Sequence, residues 1–313
     1  MSRIASLFAV ALVLAVGLAS PLAVAAKQAT PAALGPAGEA VSIVGTDGAE
    51  VGRVTLTELA DPFDAYDAFY PPEHGFHYVL ATVSVENTGA RPLPVDPNAF
   101  RLLDADGYLN HPGSVFRGED VTVPDLQYQE IAPGDTISGA VAFQTLNGVA
   151  LSALLFLPSN EQVVTIATLG ETSIAGVGEA ASILGPDGAE IAQVTVQTIT
   201  DPFPDYDPSS PPERGNRFVT LSLSVTNTGP RPLAVDPNAV SLLGNDGFLY
   251  SPGFVNRGAQ PAEADFTYQD GLAPGATAAG AIGFQVLNGV LVVSVLYRPD
   301  SDRFITLAEV TTG

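Results

Sequence analysis

The feature that most constrains this chain is that it is written twice. Gly38-Glu39-Ala40 returns as Gly178-Glu179-Ala180, Asp61-Pro62-Phe63 as Asp201-Pro202-Phe203, and Asn87-Thr88-Gly89 as Asn227-Thr228-Gly229. Val95-Asp96-Pro97-Asn98-Ala99 returns as Val235-Asp236-Pro237-Asn238-Ala239 at the same spacing. One residue is inserted near Gly271, after which Ala132-Pro133-Gly134 matches Ala273-Pro274-Gly275. Just over half the positions between 38 and 130 are identical in 178 to 270. Such a unit is too long for a solenoid repeat and has the size of a whole domain. Two tandem domains are therefore predicted, at 38–168 and 178–309, joined by a short linker at 169–177.

Each unit carries the marks of β-structure. Between His77 and Glu86, Val79, Ala81, Val83 and Val85 alternate with other residues, and the second copy places Val219, Leu221, Leu223 and Val225 at the same positions. A period of two puts these side chains on one face of a strand. Turn signals punctuate the unit at Asn87-Thr88-Gly89, Asp106-Gly107, Pro133-Gly134 and Asn147-Gly148. Asp106-Gly107 lies between two short apolar runs, the pattern of a hairpin. No helical period is visible beyond the first segment. Many short strands with regular turns predict an all-β fold, a pair of antiparallel β-sandwiches.

Residues 1–26 read as an address. Arg3 precedes an apolar run from Ile4 to about Ala19, and Ala23-Val24-Ala25 offers the small-x-small exit of a cleavable signal peptide. The competing reading is an uncleaved anchor, since about 20 apolar residues suffice to span a bilayer. Ser20, Pro21 and the alanine exit favour cleavage, which leaves no membrane span. Residues 27–37, rich in Ala and Pro, read as a flexible leader. The expected location is secreted or extracytoplasmic.

Composition narrows the function classes. The 313 residues hold 34 acidic and 12 basic side chains, a net charge of -22, with no cysteine and no tryptophan. Nucleic-acid binding is disfavoured by that charge, and thiolate chemistry and a lipidated cysteine anchor have no residue to use. The templates Gly-x-Ser-x-Gly, His-Glu-x-x-His and the phosphate loop are missing, so no catalytic or cofactor-binding residues are expected.

The residues that carry a resemblance are Val85-Glu86-Asn87-Thr88-Gly89, Arg91-Pro92-Leu93, Phe100 to Tyr108, and Ile131-Ala132-Pro133-Gly134 with Gly139-x-Val141-x-Phe143. They recur in the second copy. Together they resemble a bacterial family of extracellular domains of unknown function with an immunoglobulin-like sandwich, a fold shared by a secreted mycobacterial antigen. The resemblance implies export and a non-catalytic role; it carries no functional residues. Many family members look like lipoproteins, and this chain departs from them by lacking the cysteine.

The loop before the long alternating strand is the most distinctive segment. Asp61, Asp64, Asp67 and Glu73 in the first copy, and Asp201, Asp205, Asp207 and Glu213 in the second, offer oxygen ligands of the kind calcium takes. The competing reading is that Asp61 and Asp201 open Asp-Pro turns, that Phe63 and Phe203 plug the sandwich end, and that the remaining acids are solvated. His74, His77 and His111 are the only histidines, and the second copy has Arg214, Arg217 and Ser251 in their places, which argues against a metal site. Arg91, Arg117 and Tyr128 recur as Arg231, Arg257 and Tyr268. In so acidic a chain such an arginine is expected to pair with a carboxylate; the sharper alternative is a polar patch that recognises a ligand. The sequence-level expectation is thus an exported binding or interaction protein with a protein or glycan ligand at the cell envelope. The alternative is a calcium-stabilised spacer built on loops 61–73 and 201–213.

Overall fold

The computed structural model describes residues 38–118, 121–170, 174–185, 188–258 and 263–310. The predicted signal peptide (1–26) and leader (27–37) lie outside the described residues. The first copy runs β1 Val41–Val44, β2 Glu50–Ala60, β3 Phe76–Glu86, β4 Leu93–Val95, β5 Phe100–Asp104, β6 Leu109–Asn110, β7 Gln129–Ile131, β8 Thr136–Leu146, β9 Leu151–Ser159 and β10 Gln162–Thr168. One antiparallel sheet has the order β1-β2-β3-β8, the other β10-β9-β5-β6, and β4 pairs separately with β7. The second copy repeats this with β11 Ala180–Leu184, β12 Glu190–Thr200, β13 Asn216–Asn227, β14 Leu233–Val235, β15 Val240–Gly244, β16 Leu249–Tyr250, β17 Gln269–Leu272, β18 Thr277–Leu287, β19 Val292–Tyr297 and β20 Ile305–Glu309. Its sheets are β11-β12-β13-β18 and β16-β15-β19-β20. The chain is two tandem immunoglobulin-like β-sandwiches.

The alternating residues make the cores. Val79, Ala81, Val83 and Val85 of β3 are fully buried against Phe100 and Leu102 of β5 and Leu154 and Phe156 of β9. Each valine, leucine or phenylalanine side chain so buried contributes roughly 1.5–3 kcal/mol. The Asp106-Gly107 hairpin forms as predicted: the Asp104 carboxylate accepts from the amides of Asp106 (3.0 Å) and Tyr108 (2.9 Å), and Gly107 takes φ 85°. Burial raises the Asp104 carboxyl above its ordinary range, against the opposing effect of those hydrogen bonds. The Asn87-Thr88-Gly89 signal works through a side chain. Buried Asn87 donates to the carbonyls of Arg91 (2.8 Å) and Ile131 (2.7 Å) and accepts from Gly89 N (2.9 Å). Asn227 does the same with Arg231, Leu272 and Gly229. In Gly139-x-Val141-x-Phe143, the glycine lets segment 124–126 lie against β8, where a Cβ would sit 2.6 Å from Leu126 Cα and N.

Phe63 departs from the expected place. It does not plug the sandwich end; it is buried on the outer face of β3 and β8, with Tyr78, Leu80, Ala140 and Ala142. Those residues are apolar on the face that strict alternation assigns to solvent, and loop 61–66 covers them together with Val115, Val121 and Val123.

The two sandwiches share a third core. Ala153 and Leu155 of β9 and Val163 of β10 point away from the first core and meet Leu296 of β19 and Phe304, with Leu109 of β6 closing the cluster. Four backbone hydrogen bonds cross this joint in reciprocal pairs. Leu109 N donates to Asp302 O and Leu249 N to Glu161 O; Phe304 N donates to Gly107 O and Val163 N to Gly247 O, each at 2.8 Å. Leu109 and Leu249 are counterparts in the repeat, as are Glu161 and Asp302. Each contact therefore appears twice with the copies exchanged, which is the mark of an isologous, two-fold interface. Part of the linker is tied down as well, since Glu309 N donates to Ala175 O (3.2 Å). The described residues of both sandwiches belong to one compact unit. Among the described residues no helix is long and apolar enough to cross a membrane.

Candidate functional site

The acidic loop of the first copy is held by its backbone. Phe63 N donates to Tyr78 O (2.7 Å), Asp67 N to Phe116 O (2.7 Å) and Gly118 N to Ala65 O (2.9 Å). Asp61-Pro62 and Asp201-Pro202 are both cis. These bonds lay segment 113–118 beside residues 65–70.

The loop carboxylates are placed separately. Asp61 Oδ1 lies 2.8 Å from His77 Nε2, whose other nitrogen lies 3.0 Å from Asn147 Oδ1. In the second copy Arg217 stands where His77 does and binds Asp201 through two nitrogens, one at 2.7 Å from Oδ2. That hydrogen-bonded carboxylate raises Arg217 above the ordinary guanidinium value. Asp67 Oδ1 accepts from Phe69 N at 2.9 Å and shapes a turn. Asp207 accepts from Ser209 N (2.8 Å) and Ser209 Oγ (2.7 Å), and these bonds lower its pKa. Asp64, Glu73, Asp205 and Glu213 are exposed. Among the described residues no three His, Asp or Glu side chains gather closely enough to hold an ion. The histidines are likewise apart: His77 binds Asp61, His111 reaches Asp302 across the joint (3.2 Å), and His74 is exposed. Arg117 pairs with Asp125 at 2.7 Å and Arg257 with Asp265, the carboxylate pairing expected from sequence.

What the loop does bring together is aromatic. Tyr70 stacks on Phe116 with ring centroids 4.1 Å apart and planes at 28°. Both rings stay about half exposed, and Phe69 beside them is 89% exposed. Beneath, Tyr66 meets Tyr78 edge-on at 5.3 Å, and the Tyr78 hydroxyl donates to Tyr70 O (3.3 Å). The second copy builds the same loop, with Asp207 N donating to Asn256 O at 2.7 Å. There, however, Ser209, Ser210 and Asn256 replace Phe69, Tyr70 and Phe116, and Asn256 Nδ2 reaches Ser210 Oγ at 3.5 Å. Three aromatics have become three polar residues on one backbone, so the scaffold does not require the rings. Sequence reasoning passed over this platform because it weighed the loop by its acids. The signal was present in the repeat alignment, as a joint aromatic-to-polar exchange at three positions in two segments.

The fold and its loops define a tandem β-sandwich protein of the immunoglobulin-like kind. The chain belongs to the family described as domain of unknown function (DUF4352), whose model matches residues 51–159 and 188–301, one region in each copy. No curated protein and no solved structure matches the chain.

Proposed function

We propose that the chain is an exported, non-catalytic binding protein of the cell envelope, and that its first domain grips a protein partner through Phe69, Tyr70 and Phe116. The observation that carries this reading is the exposed stacked pair with Phe69 beside it, present in one copy and absent from the other. Large aromatics left in water lose the free energy their burial would gain, and they are the residues that dominate binding interfaces. Three rings cover only part of the roughly 800 Å² that a stable interface buries on each partner. They are therefore the apolar centre, and Asp64, Asp67 and Glu73 on the same loop form an acidic rim that favours a basic surface opposite. Export rests on the reading of residues 1–26.

The test is co-sedimentation of the mature chain with cell-envelope preparations, comparing wild type with the triple exchange Phe69→Ser, Tyr70→Ser and Phe116→Asn. Those are the residues the second copy carries on the same backbone, so folding is expected to survive. Binding should fall at least tenfold, about 1.4 kcal/mol, with the melting temperature little changed. Equal binding by the exchanged variant would overturn the proposal. Loss of binding after protease treatment of the envelope identifies a protein partner, whereas loss only after glycan digestion would replace it with a glycan.

A further inference from the structure

The two cores differ at several positions: Val83, Leu126 and Val141 become the larger Leu223, Phe266 and Ile282, while at one facing strand pair the change runs the other way. In the first copy Phe100 on β5 faces Phe156 on β9; both rings are fully buried, with centroids 4.9 Å apart. In the second copy the same register pairs Val240 on β15 with Tyr297 on β19. Valine is smaller by most of a ring. Tyr297 lines the space beside Val240 and stays partly exposed, its hydroxyl bonded to no described residue. A cavity of about 170 Å³ lies there between the sheets. Leu223, Phe266 and Ile282 give it apolar walls, and the partly exposed Asp236 and Tyr297 mark its opening.

Arg303 also lines this cavity. Its counterpart Gln162 donates to Val44 O (2.7 Å), and Arg303 keeps the equivalent bond to Leu184 O (2.6 Å). The arginine brings an extra donor. Its Nε is the one buried side-chain nitrogen or oxygen without a hydrogen-bond partner among the described residues, with Asp300 in charge contact at 3.4 Å. A buried donor left unbonded costs free energy that a ligand acceptor would recover.

We infer that the second sandwich is a binding site for a small uncharged aromatic or branched aliphatic molecule carrying one hydrogen-bond acceptor, which Arg303 Nε receives. The size is right, since an apolar cavity of about 150 Å³ takes up benzene. The molecule is uncharged because Asp236 and Asp300 stand at the same end as Arg303. Burial raises the Tyr297 hydroxyl; the Arg303 charge opposes that shift, and Asp236 and Asp300 add to it. Their field opposes a second anion. In the first copy the facing rings of Phe100 and Phe156 stand at the positions of Val240 and Tyr297. The site is independent of the aromatic platform and lies in the second sandwich, where the Arg303 guanidinium also sits over the Tyr108 ring of the first, 5.3 Å from its centroid.

The test is an ¹H–¹⁵N titration of the full mature chain with acetophenone, toluene and benzoate. Acetophenone should give saturable shifts in the second copy, reaching the first only at Tyr108 beside Arg303, and bind roughly fivefold tighter than toluene, one net hydrogen bond; benzoate should bind more weakly than either. Val240→Phe, which restores the residue of the first copy, should abolish binding while leaving the first copy's resonances in place. Ala192→Leu fills the same cavity from β12 and serves as the second variant. Absence of saturable shifts, or binding that persists in both filled variants, would overturn the site. Toluene matching acetophenone would remove Arg303 from it, and benzoate binding best would refute the uncharged ligand.

Discussion

Replacing Asn87 by aspartate exchanges an NH2 for an oxygen at a site with no access to water. The Asn87 amide donates to two backbone carbonyls, those of Arg91 and Ile131, and its oxygen accepts from Gly89 N. Aspartate keeps the accepted bond and loses both donated ones. Two net hydrogen bonds are worth about 1 kcal/mol each, and the carbonyls left facing a buried carboxylate add about 1–3 kcal/mol, for a total of about 3–5 kcal/mol at neutral pH. Burial and the two facing carbonyls both disfavour the charged form, so the folded pKa of the new carboxyl lies above its unfolded value near 3.9. The folded state then binds the extra proton, and the cost is full above the folded pKa and shrinks as pH falls through it. The chain has no tryptophan, so far-UV circular dichroism in a urea series at pH 7.5 and pH 4.5 is the assay. Asn87→Ala is the control, destabilised by a similar amount at both pH values. A cost under about 1 kcal/mol at pH 7.5, or one that does not shrink at pH 4.5, would refute the assignment of Asn87 as the donor that ties the two segments.

The remaining expectations concern the cores and the acidic loops. Gly139→Ala, and Gly280→Ala in the second copy, should each destabilise by more than about 2 kcal/mol in urea unfolding, because the added Cβ meets backbone atoms that cannot move aside. Asp104→Asn keeps the acceptor for Asp106 N and Tyr108 N and removes a carboxyl whose pKa is raised by burial. Its melting temperature should rise above wild type at pH 7, with a smaller gain at pH 4, where the wild-type carboxyl is increasingly protonated. Calcium chloride and sodium chloride at matched ionic strength should shift the wild-type melting temperature equally, since Asp61 and Asp201 are engaged with His77 and Arg217. A calcium-specific rise lost in Asp61→Ala and Asp201→Ala would instead make loops 61–73 and 201–213 a cation site.

The fold was legible where local chemistry and tertiary burial agree. Val79, Ala81, Val83 and Val85 alternate because one face of β3 is core, and Gly107, Gly134 and Gly148 adopt positive φ where turn signals were read. Legibility failed where a strand is buried on both faces. Leu151 to Leu157 and Val292 to Tyr297 are nearly continuous apolar runs. That is the signature of two-sided burial, but a sequence does not say whether the second cover is a loop, a neighbouring domain or another chain. Phe63 was misplaced for the same reason: Leu80 and Ala142 needed a lid, and periodicity counts only one face. The cavity was hidden because Phe100 and Phe156 are far apart in the chain, and only strand register shows that Val240 and Tyr297 replace a touching pair.

The joint between the sandwiches has the reciprocal contacts of a homodimer, yet its two halves share one chain. Tethering makes the association intramolecular, with an effective concentration on the order of millimolar that dilution of the protein does not change. It also lifts a constraint. In a true homodimer every substitution appears on both sides of the axis, so a platform or a cavity must be made twice or not at all. Here one half carries Phe69, Tyr70 and Phe116 while the other carries Ser209, Ser210 and Asn256, and one core packs Phe100 on Phe156 where the other has a cavity beside Val240. A symmetric frame has become a carrier for two unlike surfaces held at a fixed distance.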